Sequence, residues 1–212
     1  VNKELFEQLD FEENRLYEQI ITDLSEQQYC VVDNFFTSEE VLLLRTKLLQ
    51  NYKADAFKKS AIGNRTNELI KNNVRGDFIL WINEASTAAA EKLFFQKINH
   101  LVAYLNRTCF MGILHKEFHY AVYPKGTFYQ RHLDTFQNDS RRKLSVVCYL
   151  NDKDWAPENG GELVIYKEDQ TAINLYPLPG RIVIFESQLL EHEVKEVKKG
   201  KRLSITGWLK TR

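Results

Sequence analysis

Three residues in the second half of this 212-residue chain are placed to hold a metal ion. His132-Leu133-Asp134 sets an imidazole and a carboxylate two positions apart, and on an extended strand such residues face the same side. His192, in Leu190-Glu191-His192-Glu193-Val194, follows the turn Pro179-Gly180 and the apolar stretch Arg181–Phe185. A neighbouring strand can therefore bring a second imidazole to the same point. Two histidines and one carboxylate fill one face of an octahedron and leave three positions open. That is the ligand set expected for Fe(II) that must bind oxygen and a co-substrate together. His-x-Asp alone is a weak signal; the later histidine in a strand context strengthens it.

The last strand adds a second kind of chemistry. Along Arg202–Lys210, Leu203, Ile205 and Leu209 form an apolar set that should pack under helices, while Arg202, Ser204, Thr206 and Trp208 share the opposite face. That polar face suits the wall of a polar cavity. A guanidinium buried there needs a carboxylate partner, and the bidentate carboxylate of a ligand would serve, with Thr206 adding a hydroxyl bond. Lys201 competes for this role, but strand parity puts it on the other face unless a bulge intervenes.

The elements that must position these groups change character near the middle of the chain. Residues 1–110 read as mainly helical support: Phe6, Leu9, Leu16, Ile20, Ile21 and Leu24 recur at helical spacing, and Ser38-Glu39-Glu40 caps a run through Val41, Leu44 and Leu48. Ala85 to Asn106 is the longest helical pattern, and Tyr29 to Asp33 reads as a short strand. The polar stretch 53–76 reads as a lid-like loop or a solvated connector. From 114 to 212 the pattern is short, β-branched and aromatic, with strands expected at Lys116–Tyr123, Gln130–Asp134, Leu144–Leu150, Glu162–Tyr166, Ala172–Tyr176, Ile182–Phe185, His192–Val194 and Leu203–Lys210. Turns are expected at Asn159-Gly160-Gly161 and Pro179-Gly180. Such a run of strands predicts an α+β single domain, a jelly roll or related sandwich with helices covering one sheet.

Composition narrows the function. Twenty-nine basic residues balance 29 acidic ones, so no global field draws the chain to nucleic acid or an anionic membrane. No apolar run is long enough to span a bilayer, and the start Val1-Asn2-Lys3-Glu4 does not read as a signal peptide. Cys30, Cys109 and Cys148 have no pairing or zinc spacing and read as buried thiols in a reducing, cytoplasmic compartment. A monomer is the expected state.

The motif set resembles the 2-oxoglutarate/Fe(II) oxygenases, in particular the prolyl 4-hydroxylase branch with the hypoxia-sensing prolyl hydroxylases and their bacterial relatives. The resemblance runs from about Val74 to the C-terminus. It is carried by Val74-Arg75-Gly76-Asp77 with Trp81-Ile82, and by Tyr123-Pro124 with Tyr129-Gln130-Arg131-His132-Leu133-Asp134. Tyr149-Leu150-Asn151, Trp155, Gly160-Gly161-Glu162-Leu163, His192-Glu193-Val194 and Arg202 through Thr206 to Trp208 complete it. It implies a double-stranded β-helix with a cupin-like core, and iron held by His132, Asp134 and His192. It implies a 2-oxoglutarate 5-carboxylate bound by Arg202 and the Tyr149 hydroxyl, with Leu163, Val194, Thr206 and Tyr123 around it. Asp77, Tyr129 and Trp208 would lie near the iron and the substrate entrance. O2 would be the oxidant and ascorbate an accessory reductant, and 2-oxoglutarate would leave as succinate and CO2. Two departures stand out. The hypoxia sensors have one residue fewer between the second histidine and the arginine, which leaves room for a bulge within Lys195–Lys201. His119 takes a strand position that is apolar in those sensors; it reads first as a structural histidine, and its parity with Tyr123 leaves a substrate-facing place open.

The expected substrate is a proline in a flexible segment of a partner protein, with a translation factor implied by the bacterial relatives. Other readings keep the cofactors and take a free amino acid or small metabolite. A nucleic-acid demethylase would want a second arginine soon after the first, where the strand reads Arg202-Leu203-Ser204-Ile205-Thr206-Gly207-Trp208. A cupin-like module that binds without turnover is the remaining alternative.

Overall fold

The computed structural model describes residues 12–60, 74–86, 88–134 and 141–211. The expected lid falls largely on 61–73, outside the described residues, as do Phe6 and Leu9 of the first helical pattern.

Three helices form where the apolar spacing places them. In α1 (Arg15–Gln27), the Asn14 side chain accepts from the backbone N–H groups of Leu16 and Tyr17, and Tyr17 and Ile20 are buried. The helix α2 (Ser38–Lys53) is capped by Thr37, not by Ser38 as the sequence suggested: Thr37 and Glu40 make a reciprocal capping box. The third, α3 (Ala89–Cys109), starts four residues later than expected and buries Phe94, Ile98, Leu101 and Leu105 along one stripe. Cys30 and Cys148 are buried, but Cys109 is exposed. It ends α3, where the chain turns away from the core through Phe110, at φ 52° and 87% exposed.

The strands are β1 (Tyr29–Val32), β2 (Lys58–Lys59), β3 (Phe78–Ile82), β4 (His115–Pro124), β5 (Tyr129–His132), β6 (Arg142–Tyr149), β7 (Leu163–Tyr166), β8 (Ala172–Leu175), β9 (Ile182–Glu186), β10 (Glu191–Val194) and β11 (Lys201–Lys210). All eight C-terminal strands appear within a few residues of their expected bounds. Strands β2 and β3 were not anticipated in a half that reads as helical. The major sheet has the order β1-β9-β6-β11-β4-β3-β2 and the minor sheet β5-β10-β7-β8, with every pair antiparallel. This is the double-stranded β-helix.

Two apolar layers hold it together. One face of the major sheet, through Phe118, Tyr120, Leu144, Val146, Ile182, Ile184, Leu203, Ile205 and Leu209, packs against the helices. The other face, through Tyr123, Val147, Tyr149 and Val183, closes on Leu163, Ile165, Leu175 and Val194 of the minor sheet. Glycine is required at two turns: at Gly160 (φ 68°) and Gly180 (φ 77°), a Cβ would lie 2.2 Å from the carbonyl oxygens of Glu196 and Phe36, respectively. No helix among the described residues is long and apolar enough to cross a membrane.

Candidate active site

Between the two sheets lies a cavity of about 450 Å³, a size suited to a small molecule. The minor sheet brings His192 of β10 opposite His132 of β5 in register, and Asp134 lies two residues beyond the end of β5. One donor atom from each of these three residues lies within 4.8 Å of the others. Nε2 of His132 is 3.5 Å from Oδ1 of Asp134, and Nε2 of His192 is 3.5 Å from Oδ2.

The outer atoms of these side chains show what the inner ones can do. His132 Nδ1–H donates to the Gln130 carbonyl at 2.7 Å, and His192 Nδ1–H donates to the Leu190 carbonyl at 3.2 Å. These bonds, from which the tautomers are assigned, leave both Nε2 lone pairs facing the carboxylate. Burial holds the His192 imidazole down to about 4, so it is neutral at physiological pH. Burial pushes the Asp134 carboxyl up, but the His192 and His132 rings and the Ser145 hydroxyl outweigh it and hold the group well below the usual range. Ser145 donates to Asp134 Oδ2 at 2.7 Å and lies 2.8 Å from Ser187 Oγ. Two imidazole Nε2 atoms and a carboxylate converge. That arrangement fits a divalent cation.

Arg202 stands on the major sheet, 2% exposed. Its terminal nitrogens make only long bonds, 3.4 Å to Ser204 Oγ and 3.4 Å to the Tyr149 hydroxyl, and Nε has no partner. Among the described residues no carboxylate pairs with it. The rings of Tyr123 and Tyr149 each lie 5.0 Å from its Cζ. A buried guanidinium so placed is suited to the carboxylate of a guest. The β11–β4 register runs unbroken from Lys201–Pro124 to Lys210–His115, so no bulge alters parity there, and Lys201 is exposed on the other side.

Of the other residues singled out from sequence, Tyr123, Tyr129, Leu163, Val194, Thr206, Trp208 and His119 line the cavity with the triad and Arg202. Tyr149 reaches it through Arg202. Asp77 does not line it: fully buried, it holds Arg75 through two bonds of 2.8 and 2.7 Å, and the Arg75 side chain faces the cavity instead. His119 is buried between Trp81 and Trp208, at ring distances of 5.0 and 5.6 Å. Burial, with Arg75 adding to it, holds its imidazole down to about 3. Sequence reasoning missed Arg142, Ser145 and Ser187, and gave Arg75 and Trp81 a place in a motif but no role at the site. Arg142 donates to the Asp134 carbonyl at 3.0 Å and covers the Trp208 ring at 3.6 Å. No signal in the sequence singled out Ser145, one of two hydroxyl residues in the run from Leu144 to Leu150.

Residues 118–210, which hold the whole triad and Arg202, match the 2OG-Fe(II) oxygenase superfamily. A PKHD-type hydroxylase of Prochlorococcus marinus is 32% identical over 181 residues, covering 82% of this chain and 74% of that one. The chain belongs to the 2OG-Fe(II) oxygenase superfamily. That membership makes Fe(II) and 2-oxoglutarate its cofactor and co-substrate, and the donor set described above fits both. A prolyl-4-hydroxylase structure from Pseudomonas putida superposes with a TM-score of 0.83 at 30% identity, covering 92% of this chain and 99% of that one. A Trichoplax adhaerens prolyl hydroxylase, in complex with a hypoxia inducible factor peptide fragment, superposes with a TM-score of 0.83 at 27% identity, covering 92% and 89%. The hypoxia-inducible factor prolyl hydroxylase of Caenorhabditis elegans is 27% identical over 201 residues; these are 90% of this chain but only 28% of that relative's length.

Proposed function

We propose that this oxygenase is a prolyl 4-hydroxylase that acts on a proline in a flexible segment of a partner protein. The observation that carries the proposal is the pairing of two unmet demands in one cavity: a cation-seeking triad and a buried guanidinium with no acid beside it among the described residues. His132, Asp134 and His192 would hold the iron, and Arg202, with Tyr149 and Thr206, the far carboxylate of 2-oxoglutarate. Bound together, Fe(II) and 2-oxoglutarate supply the oxygen activation, with the co-substrate going to succinate and CO2 as a substrate C–H becomes C–OH.

The chain's own residues do the rest. The Gln130 and Leu190 carbonyls fix the imidazole tautomers, and Ser145 keeps the Asp134 carboxylate turned inward. Leu163, Val194 and Phe185 keep water from the inner cavity. Tyr123, Tyr129, His119 and Trp208 face the substrate. Trp81, 54% exposed, and Leu133, 39% exposed, also line the cavity and offer apolar contact to chain on either side of the proline. A partner segment suits such an open rim better than an enclosed metabolite does, and the peptide-bound Trichoplax relative supports the same class. A translation factor is one candidate partner, on the resemblance to bacterial relatives.

The test adds Fe(II) and 2-oxoglutarate anaerobically and follows the visible metal-to-ligand charge-transfer band, then admits oxygen with proline-containing peptides from host proteins. The expected result is the band, succinate, and a peptide heavier by one oxygen atom on proline. Succinate with no modified peptide would replace the protein substrate by a small molecule, and no band would end the iron reading.

A further inference from the structure

His132 is the least enclosed of the three candidate ligands: 18% of its side chain is open, against 10% for Asp134 and 7% for His192. It ends β5, a strand of four residues at one end of the minor sheet. Between His192 and Val194 the pairing slips, β5 using one residue more than β10 over the same stretch. Sheet pairing from one side, through such an irregularity, fixes a side-chain direction poorly.

On the open side the chain supplies a brace. Gln130 N–H donates to the Val74 carbonyl at 2.9 Å, Gly76 N–H donates to the Phe128 carbonyl at 3.0 Å, and Arg75 bridges to Tyr129. The approach is close: a Cβ on Gly76 would lie 2.9 Å from Thr127 Cβ. Arg75 Cζ then lies 4.3 Å from the centroid of the Tyr129 ring, and that ring stacks on His132 at 3.7 Å with the planes 22° apart. Asp77, fully buried, clamps the guanidinium through both carboxylate oxygens. With two of its donors committed to Asp77 and its face over Tyr129, Arg75 is poorly placed to serve as a free anion receptor.

We infer that Asp77, Arg75 and Tyr129 are positioning residues that hold the His132 imidazole in its metal-binding direction from the open side, a role that rests on the metal reading proposed above. Because Arg75 and Tyr129 also line the cavity, a substrate that touches them presses on the same stack. The chain of contacts runs from a buried carboxylate, through two cavity-wall side chains, to the ligand.

The test compares the wild-type protein with Tyr129→Phe, Tyr129→Leu and the double variant Arg75→Met/Asp77→Leu. Removing both charges together leaves no unpaired buried ion, so the double variant should keep its fold, as its melting temperature will report. Mn(II) affinity is read by electron paramagnetic resonance, and the charge-transfer band with Fe(II) and 2-oxoglutarate under anaerobic conditions. Tyr129→Leu and the double variant should lose about 10–100-fold in Mn(II) affinity and shift the band, the scale seen when a ligand's outer partner is removed. Tyr129→Phe, which keeps the ring, should bind as the wild type does. Wild-type affinity and an unmoved band in Tyr129→Leu and the double variant would overturn the brace while leaving the metal reading intact. Failure of the wild-type protein itself to bind Mn(II) and give the band would overturn both.

Discussion

The minor sheet brings its two imidazoles from strands of four residues each, one of them at the sheet's end. The major sheet brings Arg202 and Thr206 from a strand of ten residues, paired by β4 along its whole length and by β6 from Ser204 onward. Pairing with β4 on one side, and on the other the Asn151 side chain bonded to the Lys201 carbonyl and the Leu203 N–H, fix the direction of Arg202, and no polar partner within normal hydrogen-bond length holds its tip. His132, His192 and Asp134 are held otherwise, each by a bond to its own side chain: the Gln130 carbonyl, the Leu190 carbonyl and the Ser145 hydroxyl. The long strand is held through its backbone and leaves its charge free for a guest, whereas the short strands need bonds to the functional side chains themselves to aim theirs. The two halves should therefore fail separately.

The largest effect tests the minor sheet. His192→Ala, or His132→Ala, leaves two protein ligands of three, so metal binding, the charge-transfer band and succinate formation should all be lost. Retention of the band in either variant would show that the site tolerates a missing ligand and that the triad is misassigned.

The next tests the major sheet. Arg202→Ala should raise the 2-oxoglutarate requirement by about 2–5 kcal/mol, the cost of leaving a buried carboxylate unpaired, while Mn(II) affinity without 2-oxoglutarate stays at the wild-type level. Measuring both constants in one protein decides whether the halves are separable. A parallel loss of Mn(II) affinity would mean that Arg202 shapes the metal site as well.

Period-two patterning explains why the major sheet was the more legible half. Leu203, Ile205 and Leu209 do pack under the helices, and Arg202, Thr206 and Trp208 do line the cavity, because the unbroken register with β4 leaves the strand no freedom to rotate. Strand β3 was not legible: Phe78 to Ile82 is an unbroken apolar run with no alternation, and nothing local says that β4 will pair with it. The props were invisible for a related reason. Ser145 meets Asp134, and Asp77 meets Arg75 turned toward Tyr129, only after the sheets close; a serine or an aspartate after glycine reads as readily as a strand hydroxyl or a turn.

Ser145 also links the halves, since it stands on β6 of the major sheet and holds a ligand beside the minor one. Ser145→Ala should weaken Mn(II) binding by about 10-fold, the low end for an outer partner, and leave the 2-oxoglutarate requirement of the metal-loaded protein nearly unchanged. Unchanged Mn(II) affinity would show that Arg142, which holds the Asp134 carbonyl, suffices to aim the carboxylate.

The smallest effect asks whether the major sheet excludes protons as well as motion. His119 on β4 is 3% exposed, and its Nδ1 has no partner. Burial holds its imidazole down to about 3, so the folded protein keeps it neutral where the unfolded chain, with an ordinary histidine near 6.5, takes up a proton. The folded value is the lower one, so its contribution is complete above about pH 6.5 and drains away as pH falls toward 3. Lowering the pH from about 7 to 5.5 should thus cost the wild-type protein about 1 kcal/mol that His119→Met does not lose, with His192 contributing the same sign to both. Denaturant titrations of the two proteins at both pH values measure the difference. Equal losses would mean that His119 is protonated in the folded state, and that this wall of the cavity is open enough to solvate a charge.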